Sequence, residues 1–289
     1  MPGIAPMQDR ICLVTGATSG LGFVTARELA AKGAHVVVLG RDLEGAAQAA
    51  DRIRSATTAG SVEALAADLS SQAEVRRAAR RFRERHGRLS VLVNNAGAYF
   101  PHKRTSADGI EMTFAVNHLA PFLLTNLLLD LLEKESSSRV VNVSSAAHMR
   151  AHLDPDRPEG AGRYHGFGAY ARSKLANLLF TYELARRLEG THVTANALHP
   201  GLVATHITRR EGGTSAFVFQ KLSRLFGRSA EEGAKTAVYL AASEEVRGVS
   251  GLYFADCRPV RSSEESYDRF AAARLWEISE AMTGLRPRA

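Results

Sequence analysis

Ile11-Cys-Leu-Val-Thr-Gly-Ala-Thr-Ser-Gly-Leu-Gly22 decides the reading of the chain. Ile11 to Thr15 is an unbroken apolar run, as expected of a strand buried on both faces. Gly16 ends it, and Leu21 to Lys32 then reads as a helix with Gly33 at the place of a C-terminal glycine. A glycine-rich turn between strand and helix lets backbone approach a pyrophosphate closely. The helix start then offers free N–H groups and the positive end of its dipole to that anion. The spacing here is G-x3-G-x-G, not the G-x-G-x-x-G of the common dinucleotide fingerprint. By itself the turn is therefore moderately specific, and a purely structural glycine turn is the competing reading.

The alternation continues outward from this stretch. Strands are expected at His35 to Leu39, Val62 to Ala67, Leu89 to Val93, Val140 to Val143, His192 to Leu198 and Gly251 to Phe254. Helices are expected at Leu43 to Ser55, Ser71 to His86, Gly109 to Glu135, Tyr170 to Leu188 and Ala230 to Ala242. Repeated strand–helix units predict a doubly wound parallel α/β sheet with helices on both faces. No low-complexity linker divides the chain, so residues 9–257 read as one domain. An N-terminal extension (1–8) and a C-terminal helical extension (258–289) flank it. Irregular stretches at 148–168 and 201–228 are expected to carry substrate contacts. Within the second, the glycine pair Gly212-Gly213 and the apolar residues beyond it suggest a lid over 205–226.

Composition narrows the class. The chain has 289 residues, of which 45% are apolar and 23% charged, which suits a folded protein rather than a disordered one. Thirty-seven basic residues against 30 acidic ones leave +7, a balance that suits an anionic partner without choosing it. Two cysteines, Cys12 and Cys257, exclude a disulfide framework and fit a reducing compartment. The first ten residues lack the apolar core of a signal peptide. The apolar run Leu119 to Leu132 is too short to span a bilayer and reads as a buried or interface helix. The expectation is a cytoplasmic protein without a membrane anchor. Helix 71–86 carries Arg76, Arg77, Arg80, Arg81, Arg83 and Arg85, but with Glu74, Glu84 and one aromatic it reads as a solvated face, not a nucleic-acid surface. His148, His152 and His165 have no metal-site spacing, and no metal is expected.

Two further features bear on chemistry. Leu39-Gly40-Arg41 ends the second strand, where an acid would bind the ribose hydroxyls of NAD and an arginine would accommodate the 2′-phosphate of NADP. Glycine occupies the acidic position here. Arg41 could hold phosphate bidentately, or pair with Asp42 or Glu44 on the surface. Tyr170 and Lys174 stand at i and i+4 on one helix face, where an ammonium would favour the phenolate.

The motifs occur in a telling order: the glycine turn, Asp68, Asn94-Asn95-Ala96-Gly97, Asn117, Ser144-Ser145, Tyr170 with Lys174, then Pro200-Gly201. In this order they resemble the short-chain dehydrogenase/reductase family over residues 9 to about 257. Gly40-Arg41-Asp42, the run 140–148, the run 170–177 and Ser250 to Cys257 look like its retinol dehydrogenase branch. The resemblance implies a Rossmann-type seven-stranded parallel sheet, a nicotinamide cofactor and a homodimer or homotetramer. It implies that Ser145, preferred to Ser144, bonds the substrate oxygen and that Tyr170 passes a proton to or from it. Lys174 would lower the tyrosine's pKa and bind the nicotinamide ribose, and Asn117 would hold a water linking Lys174 to solvent. Gly16, Thr18, Ser19, Gly20, Leu21 and Gly22 would cradle the pyrophosphate. Asp68 and Leu69 would lie by the adenine, and Asn94, Ala96 and Gly97 would flank the adenosine ribose. Pro200, Gly201, Val203 and Thr205 would contact the carboxamide end. The expected function is an NADP(H)-dependent oxidoreductase that interconverts a lipophilic alcohol and its ketone or aldehyde. The alternative is a catalytically idle NADP(H)-binding redox sensor or scaffold.

Overall fold

The computed structural model describes residues 6–201 and 229–286. The chain alternates β1 (Ile11–Thr15), α1 (Gly20–Ala31), β2 (His35–Gly40), α2 (Leu43–Ala56), β3 (Ser61–Ala66), α3 (Gln72–Arg85) and β4 (Val91–Asn94). The second half adds α4 (Met112–Phe114), a π-helical turn (Ala115–Leu119), α5 (Ala120–Glu133), β5 (Ser138–Val143), α6 (Gly166–Arg187) and β6 (Val193–Leu198). After the undescribed segment come α7 (Ala230–Ala242), β7 (Tyr253–Ala255), β8 (Arg258–Pro259) and α8 (Arg269–Thr283). The strands form one sheet in the order β3-β2-β1-β4-β5-β6-β7-β8. Strands β1 to β7 pair in parallel, and only β7·β8 is antiparallel. The expected seven-stranded parallel sheet is thus extended by a two-residue antiparallel eighth strand. Such an edge has no strong sequence signal because it is too short for a period.

The unbroken apolar runs are explained by two cores, one on each face of the sheet. Cys12, Val14, Val36, Val38 and Val93 face α1, α2 and α7, whereas Leu13, Val37, Leu39 and Leu92 face α3, α5 and α6. Each fully buried Val or Leu contributes about 1.5–3 kcal/mol relative to exposure, so the alternating sides lock the register.

Met112–Glu133 is long and apolar enough to cross a membrane, with a mean hydropathy of 1.4, yet 78% of that stretch is buried inside the fold. Its cover comes from this same chain. Trp276 of α8 stacks edge-on against Phe122 at 4.9 Å and lies 5.8 Å from Phe180. Core packing therefore accounts for the apolarity of 119–132. The arginines of α3 serve the surface: Arg83 pairs with Asp130 through two hydrogen bonds, Arg77 with Glu74, and Arg76 donates to the Thr283 carbonyl.

Helix α6 begins at Gly166, four residues ahead of the predicted Tyr170, because His165 caps it by accepting from the Gly168 N–H at 3.2 Å. The 148–168 stretch is shortened at both ends, since Ala146–Arg150 forms a 3-10 turn. The suggested lid at 205–226, with Val203 and Thr205, lies outside the described residues.

Candidate active site

The C-terminal ends of β1, β2 and β4 open into a cavity of about 480 Å³. Gly16, Thr18, Ser19, Gly20, Leu21 and Gly22 line one wall, Arg41, Asp68 and Leu69 a second, and Ala96 and Gly97 a third. Ser19 stands at the N-cap of α1 and its side chain makes no capping bond, so the first turn of the helix keeps its N–H groups for an anion. A Cβ at Gly22 would sit 2.3 Å from Asn95 Nδ2 and 2.5 Å from the Gly16 carbonyl. The cradle therefore exists only with glycine there.

Gly40 is equally constrained. A Cβ at this position would meet the Thr18 methyl at 2.6 Å, so an acidic side chain that could bind ribose hydroxyls has no room. Asp42 is occupied as the cap of α2, accepting from Gly45 N–H at 2.8 Å, and Glu44 accepts from Gln48 at 3.2 Å. Neither takes Arg41, which has no ion-pair partner among the described residues and lies exposed on the cavity wall. Sequence reasoning missed Arg52, which donates to the Thr18 carbonyl at 2.9 Å and lies 4.2 Å over the Phe23 ring. It holds the glycine turn from α2, and nothing in its sequence context marks it.

The loop after β4 requires a correction. Asn94 does not face the cavity. Its Nδ2 donates to Thr125 Oγ1 at 3.0 Å and Asn142 Oδ1 at 2.8 Å, deep beneath the sheet's end. Asn94 is still on β4 and its side chain points to the α5 face, whereas Asn95 has left the ladder. Asn95 lines the cavity, and its Nδ2 donates to the carbonyls of Thr15 at 2.8 Å and Gly16 at 3.2 Å. Thr15 Oγ1 answers by accepting from the N–H groups of Asn95 and Ala96, both at 3.0 Å. These two residues tie the glycine turn to the β4 loop. The doubled asparagine was the available signal.

The second cluster lies where β5 and α6 meet. The paired serines separate cleanly. Ser144 is buried and donates to the Lys174 carbonyl at 2.8 Å, a structural bond. Ser145 is half-buried, accepts from Ala147 N–H at 3.2 Å, and is hydrogen-bonded with the Tyr170 phenol. His148 fixes the Ser145 backbone: its Nδ1 bonds the Ser145 carbonyl at 2.7 Å, and its Nε2 accepts from Ser263 N–H at 3.1 Å. Of the other two loop histidines, His165 caps α6 and His152 lies 2.9 Å from Glu265.

Tyr170 shares a hydrogen bond with Ser145, but burial outweighs it and pushes the phenol above its ordinary value. The expected lowering by Lys174 is therefore not what this protein alone provides. Lys174 Nζ sits 5.6 Å over the tyrosine ring and donates to the Val143 carbonyl at 3.0 Å. Its own burial brings it down to about 8, which weakens its hold on a neighbouring phenolate.

Asn117 stands in the π-helical turn, a distortion that often marks a functional position. Its Nδ2 donates to the Ala98 carbonyl and to Ser173 Oγ, both at 2.9 Å, and its Oδ1 accepts from Ala98 N–H at 2.7 Å. Both amide hydrogens are thus used by protein, leaving one lone pair of Oδ1 for a water. A Cβ at Gly97 would lie 3.3 Å from Lys174 Nζ and 3.6 Å from Asn117 Oδ1, so the β4 loop brings the two clusters together. Pro200 and Gly201 follow β6, with Gly201 N–H donating to His199 Nδ1 at 3.1 Å.

A glycine-lined cradle at strand ends, next to half-buried Ser145 and Tyr170 and the buried Lys174, defines an α/β oxidoreductase of the dinucleotide-binding type. The short chain dehydrogenase family profile matches residues 10–215, and the chain belongs to that family. Human "Retinol dehydrogenase 14" is 42% identical over 300 residues, covering 98% of this chain and 88% of that protein. Human "Polyprenol dehydrogenase" is 39% identical over 290 residues with the same coverage. Among solved structures, an uncharacterised protein from Mycobacterium paratuberculosis superposes with TM-score 0.79 at 35% identity, covering 97% of this chain and 96% of the other. The Pseudomonas aeruginosa RhlG/NADP complex does so with TM-score 0.70 at 31% identity, covering 88% and 97%.

Proposed function

We propose that the protein is an NADP(H)-dependent oxidoreductase that interconverts a lipophilic alcohol and its aldehyde or ketone. The observation that carries the reading is the convergence of Ser145, Tyr170 and Lys174 beside a glycine cradle with Arg41 on its wall, exposed and without an ion-pair partner among the described residues. The cradle fits a pyrophosphate because Gly22 leaves no space for any side chain. When bound, NADP(H) supplies or accepts the hydride.

The chain's own residues handle the oxygen and its proton. Ser145 O–H donates to the substrate oxygen and orients it. Tyr170, kept protonated by burial, gives that oxygen its proton in the reducing direction. Lys174 is anchored by the Val143 carbonyl, so its ammonium is held at fixed distance from the phenol and the ribose site. Asn117 holds Ala98 in place and leaves one acceptor for a water beside Lys174. Arg41 would take the 2′-phosphate, and Gly40 excludes the acid that would favour NAD. The names of the retinol and polyprenol relatives support an apolar substrate, as do Phe100, Met112 and Val116 at the cavity's far end.

Loss of NADPH absorbance should be followed with a panel of lipophilic aldehydes, ketones and quinones. The reading expects saturable turnover with at least one apolar carbonyl and little with sugars or carboxylates. Stoichiometric NADPH binding without turnover of any of them would favour the redox sensor or scaffold.

A further inference from the structure

At the opposite end of the sheet, three side chains distant in sequence meet. Ser61 pairs with His35 in the β2·β3 register, and Glu63 pairs with Val37. With a period of two, His35 and Glu63 project from the same face as Val37 and Leu65, the face that α3 covers. His86 is the C-terminal cap residue of α3 and comes down on that face. One ligand atom from each of His35, Glu63 and His86 lies within 4.8 Å of the others.

The hydrogen bonds set these groups as ligands. His35 Nδ1 lies 2.6 Å from Ser61 Oγ. If Nδ1 donates there, Nε2 carries the lone pair. That Nε2 is buried and has no hydrogen-bond partner among the described residues. Metal-binding histidines commonly have such a partner on the other nitrogen, which fixes tautomer and ring orientation. His86 Nε2 and Glu63 Oε1 are already 2.7 Å apart. The two imidazoles lie 5.1 Å apart, ring centre to ring centre.

We propose that His35, Glu63 and His86 form a binding site for a divalent zinc-like cation. Two imidazoles and one carboxylate suit Zn²⁺, with water in a fourth position. Metal–ligand bonds of about 2.0–2.1 Å require Glu63 to rotate off His86 so that both turn toward the ion with His35 Nε2. The site is structural in effect. It clips the sheet's edge strand β3 to β2 and to the last turn of α3. Because β2 runs from His35 to Gly40 at roughly 3.3 Å per residue, the clip lies about 16 Å from the cofactor cradle. It does not depend on the oxidoreductase reading, and its failure would leave that reading untouched.

The test is isothermal titration of Zn²⁺ into the chelator-treated full chain, with thermal melts across the same zinc series. Wild type should take up one tightly held equivalent and melt at rising temperature as zinc increases. Glu63→Gln and His86→Gln should each lose that equivalent while keeping the zinc-free circular dichroism spectrum. Ser61→Ala keeps all three ligands and should bind about 10–100-fold more weakly. Substituted Co²⁺ should give visible tetrahedral ligand-field bands in wild type that both ligand variants lack. Zinc uptake unchanged in Glu63→Gln and His86→Gln, or no uptake by wild type, would overturn the assignment.

Discussion

The two halves of the cleft are built by opposite means. The cradle side is mostly backbone: glycines without room for a Cβ, free N–H groups at the start of α1, and the exposed Arg41, which has no ion-pair partner among the described residues. The Tyr–Lys side is mostly buried side chain, with Lys174 on the Val143 carbonyl, Ser144 on the Lys174 carbonyl and Asn117 on Ala98 and Ser173. Burial makes charge costly in the second half. It raises the Tyr170 phenol and lowers Lys174 to about 8. The cradle thus offers backbone N–H groups and the Arg41 guanidinium to an anion, whereas the reacting half holds a protonated phenol beside an ammonium that burial destabilises. The proposed function assigns anion binding to the first half and proton handling to the second, and substitutions should separate the two.

The largest effect should come from Lys174→Met. Turnover should fall by about 10²-fold or more in steady-state assays. Stability should change with a definite sign. The folded-state pKa of Lys174, about 8, lies below its ordinary 10.5, so between these values the unfolded chain binds more protons. Wild-type stability therefore gains from this group as pH rises from about 8 to 10.5. Urea melts across that window should show wild type catching up with Lys174→Met. A constant difference between the two would break the claim that Lys174 is buried at a cost.

Gly22→Ala should act on the other half. Forcing a methyl against Asn95 and the Gly16 carbonyl costs about 1–3 kcal/mol, and fluorescence titration should show NADPH and NADH weakened alike. Arg41→Ala should be smaller and selective. Losing a charged bond at an exposed site is worth about 1.5 kcal/mol, so NADPH should weaken about tenfold with NADH nearly unaffected. Equal losses for both cofactors would remove Arg41 from the 2′-phosphate. The smallest effect should be Asp130→Asn at the exposed Arg83 pair, at most about 1 kcal/mol by denaturant melts and with no change in either cofactor's affinity.

Strands β1, β2 and β4 were legible because each is an apolar run bounded by glycine or polar residues, and burial on both faces demands that pattern. Ile11–Thr15 and His35–Gly40 need no tertiary information. The site was legible where a motif keeps its residues within one turn, as Tyr170 and Lys174 do. It failed at Asn94, where one step along the chain crosses from ladder to loop and reverses which side chain faces the cleft. Ser144 and Ser145 pose the same problem, since one step separates a buried hydroxyl on the Lys174 carbonyl from a half-buried one bonded to Tyr170. Arg52, Thr15 and the His35–Glu63–His86 group were invisible because their partners lie 34, 80 and 51 residues apart along the chain. Sequence shows the cation beside Tyr170 but not how much water the fold removes, and in the protein alone that burial raises the phenol.

The central claim is that Tyr170 carries the proton and that its hydroxyl is not needed to hold the cofactor. Tyr170→Phe removes one hydroxyl and keeps the ring, including its edge contact 6.2 Å from Tyr99. Parallel measurement of NADPH affinity by fluorescence and of kcat with the best carbonyl from the substrate panel tests it directly. The account predicts a kcat lower by about 10²–10⁴-fold with NADPH affinity within a factor of about two, since Tyr170 lies outside the cradle lining. Retained turnover would contradict it.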